Sequence, residues 1–210
     1  MGVEARYHAV PEDWHILRQV SRDARFAKYL QCLDSYLNDP AYRLGAGCSQ
    51  ELDPEEEDFV VAVQSLKATR PGIEQRYFYE GTRSWDVLSY VLSSAYRDLL
   101  KTGKGSIDTI NDPLFWAVQG RQILHPNARA TQGIPYRFLG AADTQQAYRL
   151  LLAVQPEVLQ TFYYPKVMRD LGVYKAFDVD FEFVWQVIQK LRHFYAQTAD
   201  AGEGTLVVID

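Results

Sequence analysis

The stretch DFEFVWQVIQKLRHFYAQTADAGEGTLVVID, residues 180–210, decides the fold. From about Asp180, the residues Phe181, Val184, Trp185, Ile188, Leu191 and Tyr195 recur at three- and four-residue intervals. That spacing predicts a helix with one apolar face. Gly202 and Gly204 end it. Thr205 to Ile209 is then a short apolar run with no polar alternation, which reads as a strand covered on both faces. Left unpaired, such a strand would be an adhesive edge. At the other end of the chain Val3, Ala5, Tyr7 and Ala9 alternate, the pattern of a half-buried strand. It is the candidate neighbour of the C-terminal strand, so the two chain ends are predicted to meet in one sheet.

Between these strands the chain is mostly helical. Pro11, with Glu12 and Asp13 behind it, suits the first turn of a helix carrying Trp14 and Leu17. A second helix is predicted from about Asp23 to Leu37, with Phe26, Tyr29, Leu30, Leu33, Tyr36 and Leu37 as its stripe. Arg43 to Gln50, with Gly45 and Gly47, reads as a loop. Asp53-Pro54-Glu55-Glu56 is a strong helix start, continued by Phe59, Ala62, Val63 and Leu66. Tyr77-Phe78-Tyr79 reads as a short strand. Trp85 to Leu99 reads as one helix, apolar around most of its girth and therefore central, with the Trp85 ring mostly buried. Lys101 to Asn111 is a polar surface excursion, and Asp112-Pro113 starts a short helix ending at Gly120. Gly133 to Leu139 is a candidate strand. Asp143 or Thr144 opens one helix, and Pro156 opens another that carries Leu159, Phe162 and Tyr163. There is no internal repeat, low-complexity tract or long linker. The expectation is an α+β fold: a single, mostly helical domain over residues 1–210, packed around a small sheet that includes the N- and C-terminal strands.

Composition narrows the function classes. The chain has 210 residues, of which 47% are hydrophobic and 23% charged, and a net charge of −5. The basic residues are scattered singly, as at Arg18, Arg22, Arg25 and Lys28, so nucleic acid is not an expected partner. No apolar stretch reaches the roughly 18 residues of a membrane span, and Met1 to Tyr7 carries no signal-like apolar core. A cytoplasmic location is expected. Cys32 and Cys48 read as two reduced thiols, one on a helix and one in a loop, although a disulfide between them stays open.

The order of several short motifs resembles a known family. Ser84-Trp85 with Leu88 is followed by Asp112-Pro113-Leu114 with Ala117, then Tyr136-Arg137-Phe138-Leu139. Leu191-Arg192-His193-Phe194-Tyr195, Gly202 and a closing apolar strand complete the series, with a strand opening at Met1-Gly2. This resembles the YfbM-like family, a bacterial domain of unknown function, over most of the chain and best from Trp85 onward. The resemblance implies a single α+β domain of several helices around a small sheet and carries no catalytic residue. The family often places His in the helix after the Ser-Trp pair, whereas the aligned positions here hold Asp86 and Ser89. The stretch Asp23 to Ala68 also looks longer than in shorter members.

Chemical motifs are sparse. His8, His15, His125 and His193 show no ligand spacing and read as surface or capping residues, with His8 alternating away from the apolar face of its strand. Glu55-Glu56-Glu57-Asp58 fits helix-dipole stabilisation better than a metal patch. Lys101 to Ser106 echoes a phosphate loop but lacks its first glycine. No metal and no cofactor is expected. The aromatic residues are more suggestive: Tyr77, Phe78 and Tyr79 precede Arg83, Trp85 and Asp86, and Phe115 and Trp116 follow on the next short helix. If these helix starts converge, Arg83, Trp85, Asp86, Tyr90 and Trp116 line a cleft with an apolar wall and a few polar groups. If they do not, the aromatics are simply core and rim. Two function classes remain. One is a non-catalytic binding module for a protein or a small ligand, of which an immunity-type or regulatory role is one version. The other is a small enzyme using Asp86, Arg83 and Tyr90 as an acid–base pocket.

Overall fold

The C-terminal strand β5 (Gly204–Ile209) lies in the middle of a five-stranded antiparallel sheet. The computed structural model describes residues 3–42 and 53–210. The strand β1 (Ala5–Val10) runs along one side of β5, with Ala5 opposite Ile209 and Val10 opposite Gly204. Beyond the strands, Glu4 and Asp210 exchange backbone hydrogen bonds of 2.6 and 2.8 Å. The two chain ends therefore share one ladder, as their hydrophobic patterns require. On the far side of β1 lies β2 (Tyr77–Glu80). On the far side of β5 lies β4 (Arg137–Leu139), and the two-residue β3 (Gln122–Ile123) closes the order β2-β1-β5-β4-β3. Gly204 is required by proximity: a Cβ there would stand 2.5 Å from the Leu139 carbonyl oxygen and 2.4 Å from the Phe138 ring.

Helices cover both faces of this sheet. On one face Ala5, Tyr7, Ala9, Val207 and Ile209 pack against α4 (Trp85–Leu92), α6 (Pro113–Gln119), α7 (Ala141–Ala153) and α10 (Phe181–Asp200). On the other, Val10, Phe138, Leu206 and Val208 pack against α1 (His15–Arg22), a 3₁₀ segment (Ala24–Cys32), α2 (Leu33–Asn38) and α3 (Pro54–Thr69). The short helices α5 (Ser94–Thr102), α8 (Pro156–Gln160) and α9 (Pro165–Asp170) complete the chain order. The fold is α+β and mostly helical, with no described helix long and apolar enough to cross a membrane.

The second helical layer corrects the reading of β1 as half-buried. His8 was expected at the surface and is 1% exposed, because α1 to α3 close over the face to which it points. Alternation alone shows which residues share a face, not whether a second layer covers it.

Several helices also depart from their expected limits. The stripe from Phe26 to Leu37 recurs at three-residue steps, a period that serves a 3₁₀ helix as well as an α-helix. Asp23 caps the 3₁₀ segment by accepting the Arg25 N–H at 3.0 Å. The expected single helix from Trp85 to Leu99 breaks at Ser93. There the serine Oγ accepts the Tyr96 N–H at 3.0 Å and donates to Asp112 at 2.8 Å. Pro11 stands in a turn before α1 and not in its first turn, and α7 begins at Ala141, ahead of Asp143. The helix from Pro156 stops at Gln160, short of Phe162 and Tyr163. Met1-Gly2, the expected loop from Arg43 to Gln50 and Cys48 lie outside the described residues, while Cys32 is a free thiol.

Candidate functional site

A buried carboxylate prepares the site. Glu80, at the end of β2, is 2% exposed and accepts the Ser84 N–H at 3.1 Å, the Thr82 N–H at 3.0 Å and the Ser84 hydroxyl at 3.0 Å. These bonds fix the turn ahead of α4, in which Arg83 takes φ of 66°. The turn delivers Trp85 and Asp86 to the sheet. Every residue of α4 from Asp86 to Leu92 is buried, as expected of a central helix.

Asp86 is 6% exposed. Its carboxyl accepts the Tyr96 hydroxyl at 2.6 Å and the Tyr174 N–H at 2.8 Å. Burial raises its pKa above the usual carboxylate range, although both hydrogen bonds pull the other way. Burial also raises the Tyr96 phenol, which the neighbouring acid pushes further up.

The opposite wall comes from α6 and β4. Asp112 caps α6 by accepting the Leu114 N–H at 2.9 Å, and Pro113 fills its first turn. Gln119, at the end of α6, is buried and donates to Ser89 Oγ at 2.9 Å. Gly120 ends the helix with φ of 75°, where a Cβ would come within 2.4 Å of the Arg137 Cβ. This close approach seats Arg137 against the helix end. The arginine is 5% exposed, pairs with Ile123 and Val207 in the sheet, and directs Nη2 to Asp108 on the polar excursion.

These groups enclose a cavity of about 570 Å³. Trp85, Ile107, Ile123, Ile134, Pro126 and Pro135 supply its apolar lining, and Asp86, Tyr96, Gln119 and Arg137 its buried polar groups. Arg129 braces the rim by donating to the Pro126 and Gly133 carbonyls at 3.0 and 2.7 Å. Apolar walls with a few fixed polar groups are what small-molecule sites share. A second cavity of similar volume, between Lys28 and Asp53, has charged lining groups that satisfy one another, Lys28 with Asp53 at 2.8 Å and Arg25 with Glu55 at 3.3 Å.

Of the five residues singled out in the sequence, Trp85 and Asp86 line the apolar cavity. Trp85, expected to be mostly buried, is partly buried against the core; it donates Nε1–H to the Val3 carbonyl at 3.2 Å, and its ring forms part of the wall. Arg83 lies outside the lining and pairs with Glu4 at 3.7 Å. Tyr90 is buried within the helical layer, as is Trp116, whose Nε1–H bonds the Ile110 carbonyl at 3.0 Å beneath the Arg121 guanidinium. Asp86, Arg83 and Tyr90 therefore do not converge, and Asp86, Tyr96 and Arg137 do. Tyr77 to Tyr79 form β2, at the sheet edge opposite β3. Arg137 carried one legible signal, a charge inside an otherwise apolar strand; Asp108 and Gln119 carried none.

The comparisons with known proteins agree with this architecture. The structure is similar to the crystal structure of YfbM from Escherichia coli, itself a protein of unknown function: 14% identity over 99% of both chains, with a TM-score of 0.53. At that identity the likeness establishes the fold alone. No curated protein sequence matches the chain. A family model described as a domain of unknown function, DUF1877, matches residues 46–208. That match spans the sheet from β2 to β5, the cavity and most of the helices, and with it the chain belongs to the DUF1877 family.

Proposed function

We propose that this domain is a binding module whose ligand is a small organic molecule held between α4, α6 and β4. The observation that supports it is the pairing of two ionisable groups, Asp86 and Arg137, each at most 6% exposed, on the walls of one apolar cavity. Burying charge is costly, and a ligand that uses both groups offsets that cost. The concave shape favours a small ligand over a protein surface, so an immunity-type role fits less well than a regulatory or carrier role. The proposed setting is the cytoplasm, in keeping with the acidic composition and the free Cys32 thiol.

The test is a ligand-observed NMR screen of small amphipathic compounds against the full chain. Hits should lose affinity for Ile134→Trp, which narrows the cavity, while that variant keeps the wild-type circular dichroism. Hits that bind the narrowed variant equally well would defeat the proposal. A second reading, acid–base catalysis, draws on the raised Asp86 carboxyl hydrogen-bonded to Tyr96. Chemical turnover of a bound hit, abolished by Asp86→Asn, would establish it in place of simple binding.

A further inference from the structure

The ion pair between Arg137 and Asp108 joins two very different environments. The Arg137 side chain is 7% exposed and the Asp108 side chain 54%. Residues 101–109 around Asp108 are exposed throughout. Arg137 is held by the sheet and by Gly120, and Asp108 reaches it from outside through a single guanidinium nitrogen, Nη2. Apolar cavity walls at Ile123, Ile134 and Pro135 stand beside it, yet the aspartate has no apolar body to lay against them.

We infer that Asp108 is an internal stand-in for a ligand carboxylate, and that the cavity takes a small carboxylic acid with an apolar body, which displaces Asp108 from Arg137. This rests on the small-ligand reading above and specifies its chemistry. A carboxylate matches a single guanidinium fork with two parallel hydrogen bonds. One buried arginine within largely apolar walls suits a monoanion better than a phosphate, whose higher charge calls for more cations. The exchange replaces one carboxylate with another, so Arg137 is never left unpaired in a dry site. The ligand gains what Asp108 cannot, the removal of an apolar body from water. The excursion carrying Asp108 is released into solvent, where its side chain already largely lies.

The test compares 4-methylpentanoate and 3-phenylpropionate with their primary amides, titrated into ¹⁵N-labelled full-length protein. The acids should bind at least about tenfold more tightly than the amides, since charge-assisted pairing is the difference. Amide shifts should centre on residues 106–110 and 119–137. Asp108→Asn, a change at an exposed position, should tighten the acids by about three- to tenfold by removing the internal competitor, and leave the amides unchanged. Arg137→Lys should erase most of the acid preference. Equal binding of acids and amides in the cavity would overturn the carboxylate assignment and leave the small-ligand reading standing. An Asp108→Asn protein that binds the acids no better than wild type would overturn the displacement. Absence of binding by every probe would overturn the inference, while hits of other chemistry in the wider screen would still uphold the cavity as a site.

Discussion

The two faces of the sheet bury similar side chains under helices of different build. Beneath α4, α6, α7 and α10, the large buried hydroxyls are satisfied: Tyr7 donates to the Val118 carbonyl at 2.8 Å, Tyr195 to the Ala117 carbonyl at 3.0 Å, and Tyr96 to Asp86 at 2.6 Å. Beneath α1, the 3₁₀ segment, α2 and α3, both nitrogens of His8, the indole nitrogen of Trp14, the Gln19 carbonyl and the Tyr136 hydroxyl are buried without a partner. The contrast has a local cause. Val118 and Ala117 lie in the last turn of α6, where backbone carbonyls lose their intrahelical donors. Tyrosines from β1 and α10 supply those donors from inside the core, so a helix end and two phenols satisfy each other. Around His8 no such end is offered. The ring lies 4.7 Å from Tyr77 in a stacked pair, and burial, with Arg6 nearby, lowers its pKa to about 3. The first layer bonds these phenols to helix-end carbonyls and a buried acid; the second also bonds Tyr36 to Glu56 at 2.7 Å and Tyr29 to Asp53 at 3.1 Å, yet tolerates desolvated polar groups beside them.

The largest effect should come from removing what the two layers share. Deleting Thr205 to Asp210 takes the central strand from both, and the product should be insoluble or bind ANS without a cooperative melt. A soluble product melting within a few degrees of the full chain would show that each layer stands without β5. Next comes the first layer alone. Tyr7→Phe with Tyr195→Phe leaves two α6 carbonyls without donors in a dry interior, at a cost of about 1–3 kcal/mol each. Denaturant titration measures the sum, and a combined loss under about 1 kcal/mol would mean that water replaces the phenols.

The tolerant layer makes a pH prediction. The folded pKa of His8 is depressed from its ordinary value near 6.5 to about 3, so the unfolded chain binds more protons between those values. The stability that neutral His8 permits is complete above about pH 6.5 and falls as the pH drops, by up to about 1.4 kcal/mol per pH unit. Melts from pH 7 to pH 5 should show this decline, and His8→Phe should flatten it. The smallest effect is that of His8→Phe at pH 7.5. Phenylalanine keeps the stack on Tyr77 and removes two unpaired nitrogens, so stability should hold or rise by about 1 kcal/mol. A loss of more than that would show that the nitrogens are hydrogen-bonded to buried water.

How much of this was legible follows the range of each interaction. The helix α10 and strand β5 were plain, because their patterns are local and long. The pairing of the chain ends followed from the edge problem that an apolar terminal strand poses. The second helical layer was not legible from β1, since a lone histidine between apolar residues reads as an outward-facing polar group. The site was half legible. Trp85 and Asp86 stood out beside a helix start, but a continuous helix from Trp85 to Leu99 would carry Tyr96 nearly three turns away from Asp86. The break at Ser93, made by its bonds to Tyr96 and Asp112, brings Tyr96 to Asp86 instead. Asp112 lies 19 residues further along the chain, and no local pattern signals such a contact. Arg137 and Asp108 meet across 29 residues and lacked any shared signal for the same reason.

The central place of β5 also sets an order of events during synthesis. Its neighbours β1 and β4 are made early and midway, yet both present unpaired backbone until Ile209 has left the ribosome. Local helices can form as they emerge, whereas closing the ladder from Ala5 to Ile209 spans nearly the whole chain, a separation that slows folding. A nascent chain stalled between Leu139 and Thr205 carries two open strand edges at once. For this fold, the interval vulnerable to aggregation and to chaperone capture lasts until β5 has emerged.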